Sequence, residues 1–473
     1  PRGKGGLGVP GGKKGGKSKP GRASTSPPNT PRRDALALGV SAAALAATGA
    51  SAQTASTIKA ADVPAPKFAI EKGASLRMLR PVRFVQADED VFRANAAKFT
   101  KETGVEVKVD FVGWEDINQQ TAVTSNSGAG PDIIIGFSDA PHIYIDKLIE
   151  LTDVADYLGK RYGGWLPLAQ KYGKKNKSDA WIGLPFGATA GPLIYRKSVL
   201  QSVGFDKVPE DHAGIVDLCR KLQKAGKPAG FALGNAVGDG NGFANWALWS
   251  HNASLLDEDG NVTINSKETI AALNWVKELY PTFIAGTPSW NDVSNNRAYS
   301  AQEISLTANG VSLYFSLKND PATKAIADDS EHQLLPKGLA KTSPMAGLTL
   351  NAMVFKHSQY PNAAKAFLQY MLEKDQYEPW LNANSGYWAQ PLAAYAEAKV
   401  WSEDPKVKIF KNSMNSPYYN GYKGPISTAT GAVNADYVTV QMFASVATGA
   451  ATPEAAAAEA EQRCKRYFRR QNR

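Results

Sequence analysis

AWIGLPFGATAGPLIYRKSVL, residues 180–200, interrupts regular structure repeatedly and yet stays apolar. Gly183, Pro185, Gly187 and the pair Gly191-Pro192 punctuate it. Glycine permits backbone angles closed to other residues, and proline removes a donor and fixes one angle. Leu193, Ile194 and Tyr195 then read as a short strand, followed by Arg196-Lys197 and a helix-like run. Extended, glycine-punctuated and apolar sequence of this kind suits a crossing between two lobes.

The flanking sequence supports that reading. Residues 76–85 read as a first strand. Asp88 is placed to cap a helix whose apolar stripe is Val91, Phe92, Ala96 and Phe99 and which Gly104 closes. Val105, Val107, Val109 and Phe111 alternate with Glu106, Lys108 and Asp110, a strand with one buried face. Residues 114–125 read as helical. Gly130-Pro131-Asp132 introduces Ile133-Ile134-Ile135, expected of a parallel strand buried on both faces. Strand, helix, strand, helix, strand is a doubly wound α/β pattern.

Beyond the crossing, Ile215, Leu218, Cys219 and Leu222 share one helix face. LDEDGNVTIN (residues 256–265) reads as a hairpin around Asp259-Gly260, and Ser266 caps a helix running to Tyr280. Tyr360, Ala364, Phe367 and Met371 mark another helix. Two more follow, around residues 437–446 and from Thr452-Pro453, where a Thr cap before Pro is a start signal.

The 473 residues suffice for two domains, and 43% hydrophobic content builds real cores. The net charge of +10 is concentrated at the start. Residues 1–52 carry nine basic side chains and one acid, Asp34, or +8, which leaves the remainder near +2. No nucleic-acid footprint follows from that distribution. Residues 1–31 are Gly/Lys/Pro/Ser-rich and read as a disordered extension. Arg32-Arg33, an Ala/Leu run and Ala50-Ser51-Ala52 read as a secretory signal over 32–52, twin-arginine in type, with a linker over 53–73.

Catalytic signatures are missing. The sequence has no GxSxG elbow, Walker loop or HExxH, and its five histidines stand singly. Gly238-Asp239-Gly240-Asn241-Gly242 resembles a phosphate loop only in glycine content and reads as a mobile loop. Cys219 and Cys464 read as two free thiols. No cofactor is expected. What the chain does have is aromatic residues beside turns, among them Trp114, Trp181, Phe243, Trp246, Trp249, Tyr387, Trp388 and Tyr418-Tyr419. Rings stack on the apolar faces of sugars, while Asp, Asn and Gln bond hydroxyls. So many together favour a small-molecule cleft.

In this order the segments resemble the extracellular solute-binding proteins of ABC importers, the class that includes maltose-binding protein. FTKETGVEVKV (99–109), GAGPDIIIGFSD (128–139), residues 181–200, the 256–265 hairpin, Asn309-Gly310 with residues 311–315, PNAAKAFLQYM (361–371) and residues 386–391 carry the resemblance. The helix start at Pro209-Glu210-Asp211-His212 departs from the family, and Ser312 stands where many sugar binders have Trp.

The resemblance implies an α/β, two-lobe periplasmic-binding-protein fold with three interdomain crossings. Lobe one is expected over 74–190 and 348–383. Lobe two is expected over 191–342 and 387–473, with hinge crossings at 343–347 and 384–386. It implies a monomeric, non-enzymatic, periplasmic protein that closes on a sugar and delivers it to an ABC permease. The alternatives are a polyol, polyamine, phosphate ester or ferric ion, or a periplasmic carbohydrate-active enzyme. It carries over Asp139 as an acceptor for ligand hydroxyls and Trp246 with Phe243 as a stacking platform. It also carries over Tyr314 as the aromatic after the glycine, with Trp114 and Trp388 beside the cleft.

Overall fold

The computed structural model describes residues 56–471, so the expected extension and secretory signal lie outside the described residues. Two sheets organise the chain. Strands β1 (Ser75–Pro81), β2 (Glu106–Val112), β3 (Ile133–Phe137), β4 (Leu184–Thr189) and β8 (Leu348–Val354) form one of them in the order β2-β1-β3-β8-β4. Strands β5 (Leu193–Arg196), β6 (Leu306–Ala308) and β7 (Ser330–Gln333) form the other in the order β6-β5-β7.

β1 runs parallel to β2 and β3, joined by the helices Gln86–Thr103 and Ile117–Ser127. β3 is buried along its whole length, as its unbroken apolar run requires. It is not parallel on both sides, however. Its other neighbour, β8, returns from the distant second half of the chain and pairs antiparallel. The small sheet is antiparallel throughout.

Only residues 190–192 separate β4 from β5, so the opening stretch does cross from one sheet to the other. The chain crosses back between β7 and β8. A third passage lies against β4, where Ala188 and Ala389 exchange backbone hydrogen bonds of 2.9 and 2.7 Å. Gly187 makes that approach possible, because a Cβ there would stand 2.8 Å from the Trp388 Cβ.

Local signals mostly act as read. Ser266 accepts from the Thr269 amide, Thr452 from the Ala455 amide, and Gly104 ends its helix with φ 76°. Cys219 and Cys464 are buried free thiols. Four readings need correction. Asp88 caps nothing, since its carboxylate is already occupied inside the protein. The 256–265 hairpin reduces to a turn closed by one bridge, Leu256 to Val262. Residues 238–242 are the head of the helix Asp239–Ser250. The 53–73 linker, where described, is strapped down: Ile58 is buried and Glu71 accepts from the amides of Asn362 and Ala363.

Apolar packing falls into two cores, and the small sheet contributes to both, Ile194 to the first and Leu193, Tyr195 and Leu306 to the second. Tyr299, Val311, Leu317, Phe410 and Met414 pack into the first core although they lie in the ranges expected for the second lobe.

In the first core, Arg80 and Asp88 form an ion pair 2.8 Å long with both side chains 1% exposed. The same carboxylate accepts from the indoles of Trp380 at 2.7 Å and Trp388 at 3.2 Å. Arg80 lies over the Phe92 and Phe111 rings. Asp88→Ala orphans a buried cation and two indole donors, so it should cost about 3–5 kcal/mol in urea unfolding. The double variant Arg80→Met, Asp88→Leu removes the charge as well and should be the more stable of the two.

Candidate functional site

A cleft opens where the three passages meet. Its floor includes Thr189, Ala190 and Gly191 of the first passage, residues 345–348 of the second, and Tyr387 of the third. Gly310 narrows it, since a Cβ there would stand 3.1 Å from both the Tyr387 ring and Thr189 Oγ1.

Rings line one wall. Trp114 donates its indole N–H to the Val82 carbonyl at 2.9 Å, which fixes the ring plane. Phe84 meets it edge-on at 4.9 Å and is half-buried. On the other wall the helix Asp239–Ser250 contributes Phe243, Trp246 and Trp249 together with Asn241 and Asn245. Asn309, Ser312, Asn420 and Asn434 add neutral polar groups. Ser138, also in the wall, holds φ at 39°, a conformation rare for a residue with a side chain.

The helix head is arranged by an acid. Asp292 accepts from the backbone N–H groups of Val237 (2.8 Å), Gly238 (2.9 Å) and Asp239 (2.8 Å). These are donors that a helix start leaves unpaired. Gly238 keeps this approach open, because a Cβ there would lie 3.2 Å from Asp292 Oδ1 and 3.8 Å from the Trp114 ring.

Asp239 and Asp292 both line the cleft. Burial pushes Asp292 up to about 6, against the pull of its three amide donors, and Glu115 pushes the same way. Burial followed by the Asp292 charge holds Asp239 well above the usual carboxylate range, with Asn295 pulling back. Asp239 Oδ2 is buried without a hydrogen-bond partner, whereas Thr189 bonds the Tyr387 hydroxyl. Burial, with Asp292, Asp239 and Asp88 behind it, likewise raises the Tyr387 hydroxyl.

Of the residues singled out from sequence, Trp114, Phe243 and Trp246 come together at the cleft. Trp246 is 1% exposed and gives its indole N–H to the Pro336 carbonyl at 2.8 Å, so most of its surface is committed to the second core. The other three do not line the cleft. Trp388 stacks behind Trp114 at 6.1 Å and leaves the wall to Tyr387. Asp139 accepts from Asn420 Nδ2 at 3.1 Å, and Asn420 is the group that reaches the cleft. Burial lifts the Asp139 carboxyl to about 6.

Tyr314 bonds Asp404 at 2.8 Å, away from the cleft, whereas Ser312 lines it. Two helical positions apart is roughly 200° around the axis, so only one of the pair can face inward. The sequence reading missed Asp239, Asp292 and Asn241. Asp239 and Asn241 were hidden in a glycine run read as a loop, and Asp292 carried no signal at all.

A family model described as bacterial extracellular solute-binding protein matches residues 94–409. The chain is 24% identical over 330 residues to YcjN of Escherichia coli, which is named as a periplasmic-binding protein of an ABC transporter. That match covers 67% of this chain and 74% of YcjN. Among solved structures, a sugar transporter protein of Arthrobacter chlorophenolicus with bound laminaribiose matches with TM-score 0.72 at 17% identity, over 83% of this chain and 99% of that one. The GacH receptor of Streptomyces glaucescens, also solved with acarbose, matches with TM-score 0.68 at 19% identity, over 84% and 99%. A solute-binding protein of Agrobacterium vitis with bound D-mannitol gives TM-score 0.68 at 19% identity, again over 84% and 99%. The likeness is one of fold: two α/β lobes.

Asp239→Asn tests the buried acids. A carboxyl raised in the folded state favours folding fully below the unfolded pKa, and that contribution is lost as pH rises through the folded pKa. Removing it should therefore raise the ligand-free melting temperature by a few degrees near about pH 7.5 and leave it almost unchanged near about pH 4. Scanning calorimetry at both pH values reads this.

Proposed function

The chain belongs to the bacterial extracellular solute-binding proteins, and from that premise we propose that it captures a carbohydrate or polyol between its lobes and hands it to the permease of an ABC importer. The observation that carries the ligand class is the lining of the cleft: aromatic rings on both walls, amide and hydroxyl side chains between them, and two carboxyls. Rings cover the C–H faces of a polyhydroxylated solute, and the neutral polar groups and acids accept from its hydroxyls. Relatives of the same fold hold laminaribiose and D-mannitol, which supports the class.

A phosphate ester and a ferric ion fit less well. Among the described residues that line the cleft none is Lys, Arg or His, so a phosphate ester would meet no cation. The anion seat at the head of the helix Asp239–Ser250 is already filled by Asp292. A ferric ion would find a single tyrosine there, Tyr387. Tyr418 is turned away and stacks on Trp249.

Capture works by closure. A solute touching both walls favours the closed form by the contacts that only that form makes. A shift from mostly open to mostly closed takes about 5.5 kcal/mol of differential affinity. The family acts outside the cytoplasm by its description. The proposed route is twin-arginine export through Arg32-Arg33, with cleavage after Ala52. Replacing both arginines with lysine should leave the protein in the cytoplasm, read by fractionation and immunoblotting; unimpaired export would assign it to the general secretory route.

A thermal-shift screen over sugars and polyols tests the ligand class. A ligand at about 100 times its Kd adds about 2.7 kcal/mol of stability. Phe84 and Trp246 then separate binding from packing. Phe84→Ala uncovers on the order of 50–100 Å² of solute, worth about 1–2.5 kcal/mol at ~25 cal/mol per Å². That is roughly a 5- to 70-fold weaker Kd by titration calorimetry, with a smaller loss of ligand-free stability than truncating a fully buried ring. Trp246→Ala should instead lower ligand-free stability by about 3–5 kcal/mol.

A further inference from the structure

Charge inside the cleft is one-sided. Asp239 and Asp292 line it, Glu115 is close enough to act on Asp292, and no basic side chain among the described lining residues opposes them. Asp88 reaches Tyr387 electrically, but Arg80 already pairs with it. The oxygens of Asp292 are committed to three backbone amides, whereas Asp239 Oδ2 has no partner. Thr189 Oγ1 is taken up by the neighbouring Tyr387 hydroxyl and is not free for a solute. The Phe84, Trp114 and Tyr387 rings stand in the same wall, and an aromatic face attracts a cation.

A neutral solute leaves two neighbouring desolvated carboxyls in conflict. A cation between carboxyls and rings resolves it. Resting on the reading of this cleft as a sugar or polyol site, we propose that the solute carries a protonated amine, which donates to Asp239 Oδ2 while the aromatic wall covers its carbon skeleton. An opposite charge within about 4–6 Å changes a carboxyl's ionisation equilibrium roughly 10- to 1000-fold. By reciprocity, an ionised carboxyl favours the amine over its neutral counterpart by a comparable factor.

Titration calorimetry on matched pairs tests this: sorbitol against glucamine, glucose against glucosamine, and laminaribiose against its reductively aminated derivative. In at least one pair the amine should bind roughly tenfold or more tightly, and Asp239→Asn should abolish that advantage while changing the neutral member far less. Ligand-free melting of the variant checks its fold, and Glu115→Gln should reduce the advantage partially. Equal or weaker binding of the amine in every pair overturns the proposal, as does an advantage that survives Asp239→Asn. Neutral sugars binding without any amine advantage defeat the amine and leave the sugar reading standing; no binding by any member defeats both.

Discussion

The Asp292 carboxylate, held on the amides of Val237, Gly238 and Asp239, is the contact around which the cleft is arranged. The helix Asp239–Ser250 has no side-chain cap of its own, so its first donors depend on an acid more than fifty positions away. That dependence locks the 292 loop to the helix head, and with it the whole aromatic and asparagine wall. It also explains the glycine run. Gly238 admits the carboxylate, and a Cβ on Gly240 would lie 2.3 Å from the Gly234 carbonyl oxygen. These two glycines serve close packing, whereas a Cβ on Gly242 would meet nothing within 4 Å.

On the opposite side, Arg80 and Asp88 perform a comparable task for the third passage. The Asp88 carboxylate gathers the end of β1, the helix Gln86–Thr103, Trp380 and Trp388 onto one buried charge. Trp388 in turn backs Trp114, so the ring that faces the cleft is held through an indole stack and an ion pair. The first wall is therefore rigid for reasons that lie entirely behind it. Lobe closure can then move whole walls rather than single side chains, consistent with hinges limited to short passages such as residues 190–192.

Legibility followed range. Periodicity over a few residues identified β2, β3, the helix Lys267–Leu279 and its Ser266 cap, because those signals are local. The crossing at 190–192 was legible because Gly and Pro punctuate it between two apolar runs. The pairing of β3 with β8 was not, since more than two hundred positions separate them and nothing in either strand encodes the partner's direction. The site shows the same limit. Trp114, Phe243 and Trp246 stood out as aromatics near turns, but Trp388 and Tyr314 stood out equally and face elsewhere. Asp239 and Asp292 derive their character from being buried together, a property of the fold alone.

That character has a cost that the ligand-free protein must carry. Two carboxyls raised by burial disfavour folding at neutral pH, and Asp239 Oδ2 forgoes hydrogen bonds it would make in water. The rest of the fold offsets this with two well-filled cores and satisfied helix ends. A solute that completes those bonds recovers the cost at the moment of binding. That gain becomes part of the difference in affinity between open and closed forms.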